Sequence, residues 1–272
     1  MLWYVITACA ALFKRLVNTR CSVCPSNRGR KWTRTRRRSP KVASVVIGLT
    51  LVGCTQTKAF YRAESTQRRT SEVGVLLMPP DVELYELTAG AMLEPKAQWT
   101  ATARKHVTTA LREELQAKKA KLFPYQPPTD MPSKDYAHSQ LLKLHEAVGT
   151  AILSHKYIPR LELPNKKDKF DWSLGDGVNL LREGHETEYA LFIYLRDSYA
   201  SAGRVTFIVL AAVFSLGRYV PSAGTQAGFA SLIDLRSGDI LWFNRLISET
   251  GDLRTPGPAR KAVKELLADL PL

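Results

Sequence analysis

Beyond residue 72 the apolar positions fall into two patterns, unbroken runs and runs at helical spacing, and each predicts its own kind of element. Val73-Gly-Val-Leu-Leu-Met78 is a continuous apolar run stopped by Pro79-Pro80, as in a strand buried on both faces. Trp99, Ala103, Val107, Leu111 and Leu115 recur every four residues, with Arg112, Glu113, Lys118 and Lys119 mostly on the other side. This spacing predicts an amphipathic helix over 99–119. A short strand is expected over 121–125, closed by Pro127-Pro128. A second helix is expected over 135–154, with Leu141, Leu144, Val148 and Ile152 along one face. Residues 156–172 carry Pro159, Pro164 and the charged run Lys166-Lys167-Asp168-Lys169, and read as an exposed loop. A short helix capped by Ser173 follows over 173–183, then a strand over 189–195, YALFIYL.

The most apolar window is 205–214, VTFIVLAAVF. It is too short to cross a bilayer as a helix, which takes about 20 residues. A helix or strand buried under the sheet is expected, and an element that dips into a membrane surface is the alternative. Two strands over 226–235 and 240–246 are joined by Arg236-Ser237-Gly238-Asp239, a hairpin signal. Thr255-Pro256 opens a last helix with the stripe Ala259, Val263, Leu266 and Leu270.

Strands that alternate with helices predict an α/β (α+β) fold, a mixed sheet covered by helices in a single domain over 73–272. The stretch FASLIDLRSGDILWFN, followed by a helix containing Val263 to Leu267, resembles the end of the domains in the curli-secretion lipoprotein and the TolB amino-terminal domain. There too a strand ending in Asp, a Gly turn and a strand reading hydrophobic-Trp precede the last helix. The resemblance implies a module that binds other envelope proteins or assembles with copies of itself. MPPDVELYELTAGAMLEP also resembles a segment of uncharacterised proteobacterial lipoproteins.

The amino-terminal part has a different logic. A basic stretch, Arg34 to Lys41, precedes a short apolar run, Val42 to Val52, and then Gly53-Cys54. This is the order of a secretory signal. Leu51-Val52-Gly53-Cys54 resembles the lipobox of bacterial lipoprotein precursors. The resemblance implies cleavage between Gly53 and Cys54, acylation of Cys54 (palmitate among the chains), and a membrane anchor there. Thr55 stands where an Asp commonly retains Gram-negative lipoproteins at the inner membrane, so the implied place is the outer membrane, facing the periplasm. Ile6-Thr7-Ala8-Cys9 fits the four-residue pattern as well, but no basic residue precedes it. The polar stretch 55–72 is expected to be a tether. Residues 1–40 are long for such a signal. They are either an extended leader or lie upstream of the true start, and with no Met between Met1 and Met78 a shorter product needs another start codon, near Val42. If the leader is kept, the chain is instead a cytosolic or inner-membrane product.

Charge follows the same division. The formal net charge is +14, of which residues 1–53 carry +11 with no acidic residue, leaving 28 basic against 25 acidic residues beyond. The basic excess therefore serves export, and no nucleic-acid partner is expected. Cys9, Cys21 and Cys24 all precede Cys54, so the domain has no second cysteine for an internal disulfide. Cys21-Ser-Val-Cys24 lacks a second ligand pair.

Candidate chemistry is sparse. His145-Glu146 and His185-Glu186 each begin like a zinc protease motif but lack the second His one helical turn on, so both histidines are read as surface or helix-end residues and no metal is expected. Gly175-Asp-Gly177 lacks the third glycine of a dinucleotide fingerprint, and no cofactor is expected. The candidate kept is an acidic loop over 81–95 with Asp81, Glu83, Glu86 and Glu94, leaving the end of the first strand, where two carboxylates could serve acid–base work in an envelope enzyme. Trp242 and Phe243, adjacent on one strand, should face opposite sides of the sheet.

Overall fold

The computed structural model describes residues 55–63, 74–127, 132–182, 185 and 187–272. Cys54, Gly53, the whole expected leader and half of the expected tether, 64–72, lie outside the described residues.

A mixed eight-stranded sheet organises the domain, with strand order β1-β8-β7-β6-β2-β5 and β3 beside β6. The strands are β1 (Thr55–Tyr61), β2 (Gly74–Leu77), β3 (Asp81–Leu87), β4 (Leu93–Pro95), β5 (Lys121–Pro124), β6 (Tyr189–Ala200), β7 (Gln226–Asp234) and β8 (Ile240–Ser248). The helices are α1 (Ala97–Ala117), α2 (Pro132–Tyr157), α3 (Ala202–Phe214) and α4 (Pro256–Leu266).

The spine is β6. One edge pairs antiparallel with β7, which pairs antiparallel with β8 through the expected turn. Gly238 takes φ +75 there, and an added Cβ would sit 2.2 Å from the Gly175 carbonyl oxygen, so the turn requires glycine. The other edge of β6 is shared by β2 and β3, both parallel to it: Leu77 pairs with Leu191, and Asp81 with Tyr194. Pro79-Pro80 separates them because proline has no N–H to give the ladder. The two strands are one interrupted neighbour of β6.

Side chains alternate between two cores. On one face α1 (Ala103, Val107, Leu111, Leu115) and α4 (Ala259, Val263, Leu266) cover Val75, Val82, Leu84, Leu195 and Trp242. On the other, α2 (Leu141, Ile152) and the segment containing Phe170, Leu174, Val178 and Leu181 cover Leu76, Phe192, Phe229 and Phe243. Trp242 and Phe243 fall on opposite faces as the strand period requires, and both are fully buried. Buried Asn244 gives its amide to the carbonyl oxygens of Leu266 (2.8 Å) and Glu265 (3.3 Å) at the end of α4.

The α/β expectation, mixed sheet and covering helices, agrees with this architecture. Four local expectations do not. The first residues of the tether, Thr55–Tyr61, form β1, antiparallel to β8 and in register from Thr55↔Ser248 to Tyr61↔Trp242. An edge strand needs only one apolar face and a partner with free backbone groups, so its polar residues point outward. The acidic segment is a strand pair, β3 with β4, and not a loop. Within the 156–172 loop Phe170 is buried in the second core. The apolar window 205–214 is not under the sheet: in α3 only Arg204 is buried.

Candidate functional site

β3 places Asp81, Glu83 and Tyr85 on one face and Val82, Leu84 and Glu86 on the other, because a strand alternates. In the parallel register Glu83 lies opposite Arg196 of β6. The Arg196 guanidinium grips both oxygens of Asp81, at 3.0 and 3.3 Å, and its Nη1 also reaches the Asp81 carbonyl oxygen at 3.1 Å. Its Nε stands 3.5 Å from Glu83, its Nη2 3.7 Å from Glu146 of α2, and its plane 3.9 Å over the Tyr194 ring. The Tyr85 hydroxyl donates to Glu83, and the Tyr194 hydroxyl to Glu146 at 3.2 Å. Burial pushes the Tyr194 phenol up to about 12.

Glu83, Tyr85, Glu146, Tyr194 and Arg196 line an open groove of about 540 Å³ that also includes Lys143, Ser198 and Thr225. Glu86, on the opposite face, pairs with Lys96 at 2.6 Å, and Glu94 lies 3.4 Å from the same ammonium. The structure thus brings Asp81 and Glu83 together and leaves Glu86 and Glu94 apart from them. Arg196 thus stands as a fork-shaped cation between two carboxylates. The groove can recognise a partner through tyrosines and fixed ion pairs.

His145 corrects the surface reading. It is fully buried between Phe192 and Phe229, with Nε2 2.9 Å from the Ser231 hydroxyl. Burial lowers its pKa to about 3 and keeps the ring neutral. His185 lies half-buried, Nδ1 3.0 Å from the Leu181 carbonyl oxygen and Nε2 3.4 Å from the Gln126 N–H. Glu186 lies outside the described residues. No group of three His, Cys, Asp or Glu side chains able to hold a metal occurs among the described residues. Gly175-Asp-Gly177 opens a 3₁₀ turn, Asp176–Arg182, whose Gly175 N–H is held by the Ser173 hydroxyl at 2.9 Å.

A second cluster sits where β6 leaves the sheet. Buried Asp197 accepts from the Tyr199 hydroxyl and from Gln226 Nε2 (3.0 Å). The Tyr199 oxygen takes the Leu253 N–H at 2.8 Å, and Arg254 stacks 3.9 Å over its ring. Burial raises Asp197 to about 6. A smaller recess of about 300 Å³ opens beside it, lined by Gly224, Ser248, Gly251 and Arg254. Sequence reasoning missed this cluster because the apolar run of β6 ends at Leu195. The signal lay in Arg196-Asp197, two charges inside a strand that runs on to Ala200.

α3 starts at the same end of the sheet. Ser201 caps it, its hydroxyl accepting from the Arg204 N–H at 3.1 Å, and its own N–H reaches the Leu87 carbonyl oxygen at 3.0 Å. Arg204 donates to the Ser222 carbonyl oxygen from Nε (3.3 Å) and Nη2 (3.2 Å). Beyond these ties Val205, Phe207, Val209, Leu210, Val213 and Phe214 are exposed, and Ile208, Ala211 and Ala212 are half-buried.

No protein-family model and no curated protein matches this sequence. Among solved structures, the PelC dodecamer from Paraburkholderia phytofirmans is similar at 10% identity and a TM-score of 0.33, over 80% of this chain and 98% of that one. A single-substitution variant of that dodecamer gives 10% identity and 0.31, over 79% and 96%. A likeness this loose says nothing of function.

Proposed function

We propose that the protein is a lipid-anchored cell-envelope protein whose α/β domain is a binding or assembly module facing the periplasm from the outer membrane. The observation that carries this reading is the lipobox, Leu51-Val52-Gly53-Cys54, at the end of a basic-then-apolar leader. β1 begins at Thr55, the residue after Cys54, so acyl chains on Cys54 would hold the edge of the sheet close to the lipid, with no long tether between. Stable anchoring takes more than one chain, at roughly 0.8 kcal/mol per buried CH₂. The module part of the reading is supported by the groove around Arg196, whose carboxylates are paired and whose tyrosines are open to a partner, another envelope protein or a second copy.

Intact mass of the protein purified from membranes, beside Cys54→Ala, tests the anchor. The expected result is a chain beginning at Cys54 with acyl mass added, and loss of that mass in the variant. An unmodified chain that keeps residues 1–53 overturns it.

A further inference from the structure

We infer that α3 and the segment after it form a membrane-surface element that lies in the lipid interface beside the anchor. The inference deepens the proposed lipid anchoring and rests on it for orientation, while the helix itself is tested separately below.

Six large apolar side chains of α3 are exposed, Phe214 at 83%, and the apolar surface runs on through Leu216, also 83% exposed, to Tyr219 and Val220. Soluble proteins seldom show water so continuous an apolar surface unless something covers it. Three observations point to lipid as the cover. First, exposure extends around more than half of the helix circumference, since 205, 207, 209, 210, 213 and 214 sweep about 200° at 100° per residue. A flat protein partner would bury one stripe, whereas the acyl boundary solvates the flanks as well. Second, no acidic residue occurs between Asp197 and Asp234, and the charged residues there are Arg204, tied to Ser222, and exposed Arg218. Arg218 and Tyr219 at the end of an apolar helix match the headgroup level of an anionic membrane.

Third, the sheet register brings the start of β1, the residue after Cys54, to the end of the sheet from which α3 leaves. Thr55 pairs with Ser248, Ser248 with Gln226, and Gln226 with Asp197. These four residues form one row across the end of the sheet, about 15 Å wide at the usual strand spacing. β6 runs three residues past this row, to Ala200, and Ser201 caps α3. Thr55, the residue after Cys54, opens β1 at the same end. Acyl chains there would press that end, and α3 with it, onto the bilayer. The 13 residues of α3 reach about 20 Å, too short to span it, so the helix lies in the interface.

The test uses the full chain with Cys9→Ala, Cys21→Ala, Cys24→Ala and Phe214→Cys, with Cys54 kept or changed to Ala. A polarity-sensitive fluorophore on residue 214 is read in vesicles of phosphatidylethanolamine and phosphatidylglycerol. Lipids carrying a quencher just below the headgroup report contact, and Ala117→Cys, exposed at the far end of α1, serves as the control site. In acylated protein the 214 label should shift to shorter wavelength and lose most of its emission to the lipid quencher, with the label at 117 unchanged. Acylated protein with the 214 label in water overturns the inference and leaves the anchor standing. A blue-shifted label untouched by the lipid quencher means that protein covers the helix, a second copy or the retained leader, and also overturns it. If no acyl mass is found, the anchor reading falls and the Cys54→Ala chain decides. Lipid quenching at 214 then sustains the helix inference, and its absence ends it.

Discussion

α1 and α3 both carry large apolar side chains, and they have opposite fates. α1 is the more polar, yet its apolar residues fall every four positions and all of Ala103, Val107, Leu111 and Leu115 are buried. α3 is far more apolar, and its single buried residue is an arginine. Burial follows the match between an apolar stripe and a facing surface, and total apolarity does not set it. α1 meets the sheet because β3 and β4 return the chain across it: the Leu84 N–H donates to the Thr100 hydroxyl at 2.9 Å and Arg104 Nε donates to the Val82 carbonyl oxygen at 3.1 Å. α3 leaves the sheet at the end of β6 and, among the described residues, meets no second layer.

The sharpest way to break this comparison is Leu111→Ala in α1. A buried leucine truncated against a packed sheet should cost about 2–5 kcal/mol, read by denaturant unfolding. A cost under about 1 kcal/mol would show that α1 is not the structural helix of the pair.

α2 is an intermediate case, since it buries a titratable group. His145 is neutral in the fold with a pKa of about 3 against an ordinary 6.5, so its stability contribution is whole above pH 6.5 and is lost as pH falls towards 3. Asp197 acts in the other direction. Its folded pKa of about 6 lies above the ordinary 3.8, so its contribution is present below 3.8 and is lost as pH rises through 6. Between pH 6.5 and 4 the two slopes oppose each other, each up to about 1.4 kcal/mol per pH unit. His145→Gln should make the protein more stable at pH 4.5 than at pH 6.5, and Asp197→Asn should steepen the acid loss. Unfolding curves at the two pH values check both signs.

Smaller effects separate α3 from the core. Ser201→Ala removes its cap and should cost about 1 kcal/mol by the same unfolding assay, if α3 unfolds together with the domain. Val209→Asn with Val213→Asn should change stability in solution by no more than about 0.5 kcal/mol, while weakening retention on phosphatidylglycerol vesicles in flotation. A large loss of stability from that pair would mean that α3 packs on protein.

Much of this was readable along the chain. The runs at 73–78 and 189–195, the four-residue spacing of α1 and the Ser-Gly hairpin correspond to β2, β6, α1 and the β7–β8 turn. β3 carried its own signal, since Asp-Val-Glu-Leu-Tyr-Glu-Leu alternates strictly, but Pro79-Pro80 and the density of acids favoured a loop. β1 carried almost none. Thr55 to Lys58 is polar, and only the free edge of β8 makes it a strand. In the expected acidic site Arg196 was invisible, because it lies 115 residues from Asp81 and reaches it only through the parallel pairing of β3 with β6.

What the sequence determined by itself is what local chemistry decides: period, proline breaks and the glycine turn of the hairpin. These depend on neighbours within a few residues, and the chain carries those with it. Tertiary structure decided which carboxylates meet a cation, that His145 is buried on Ser231, and that the most apolar helix stays outside. Each of these depends on strand register and chain direction, which join residues from distant parts of the chain at one end or face of the sheet.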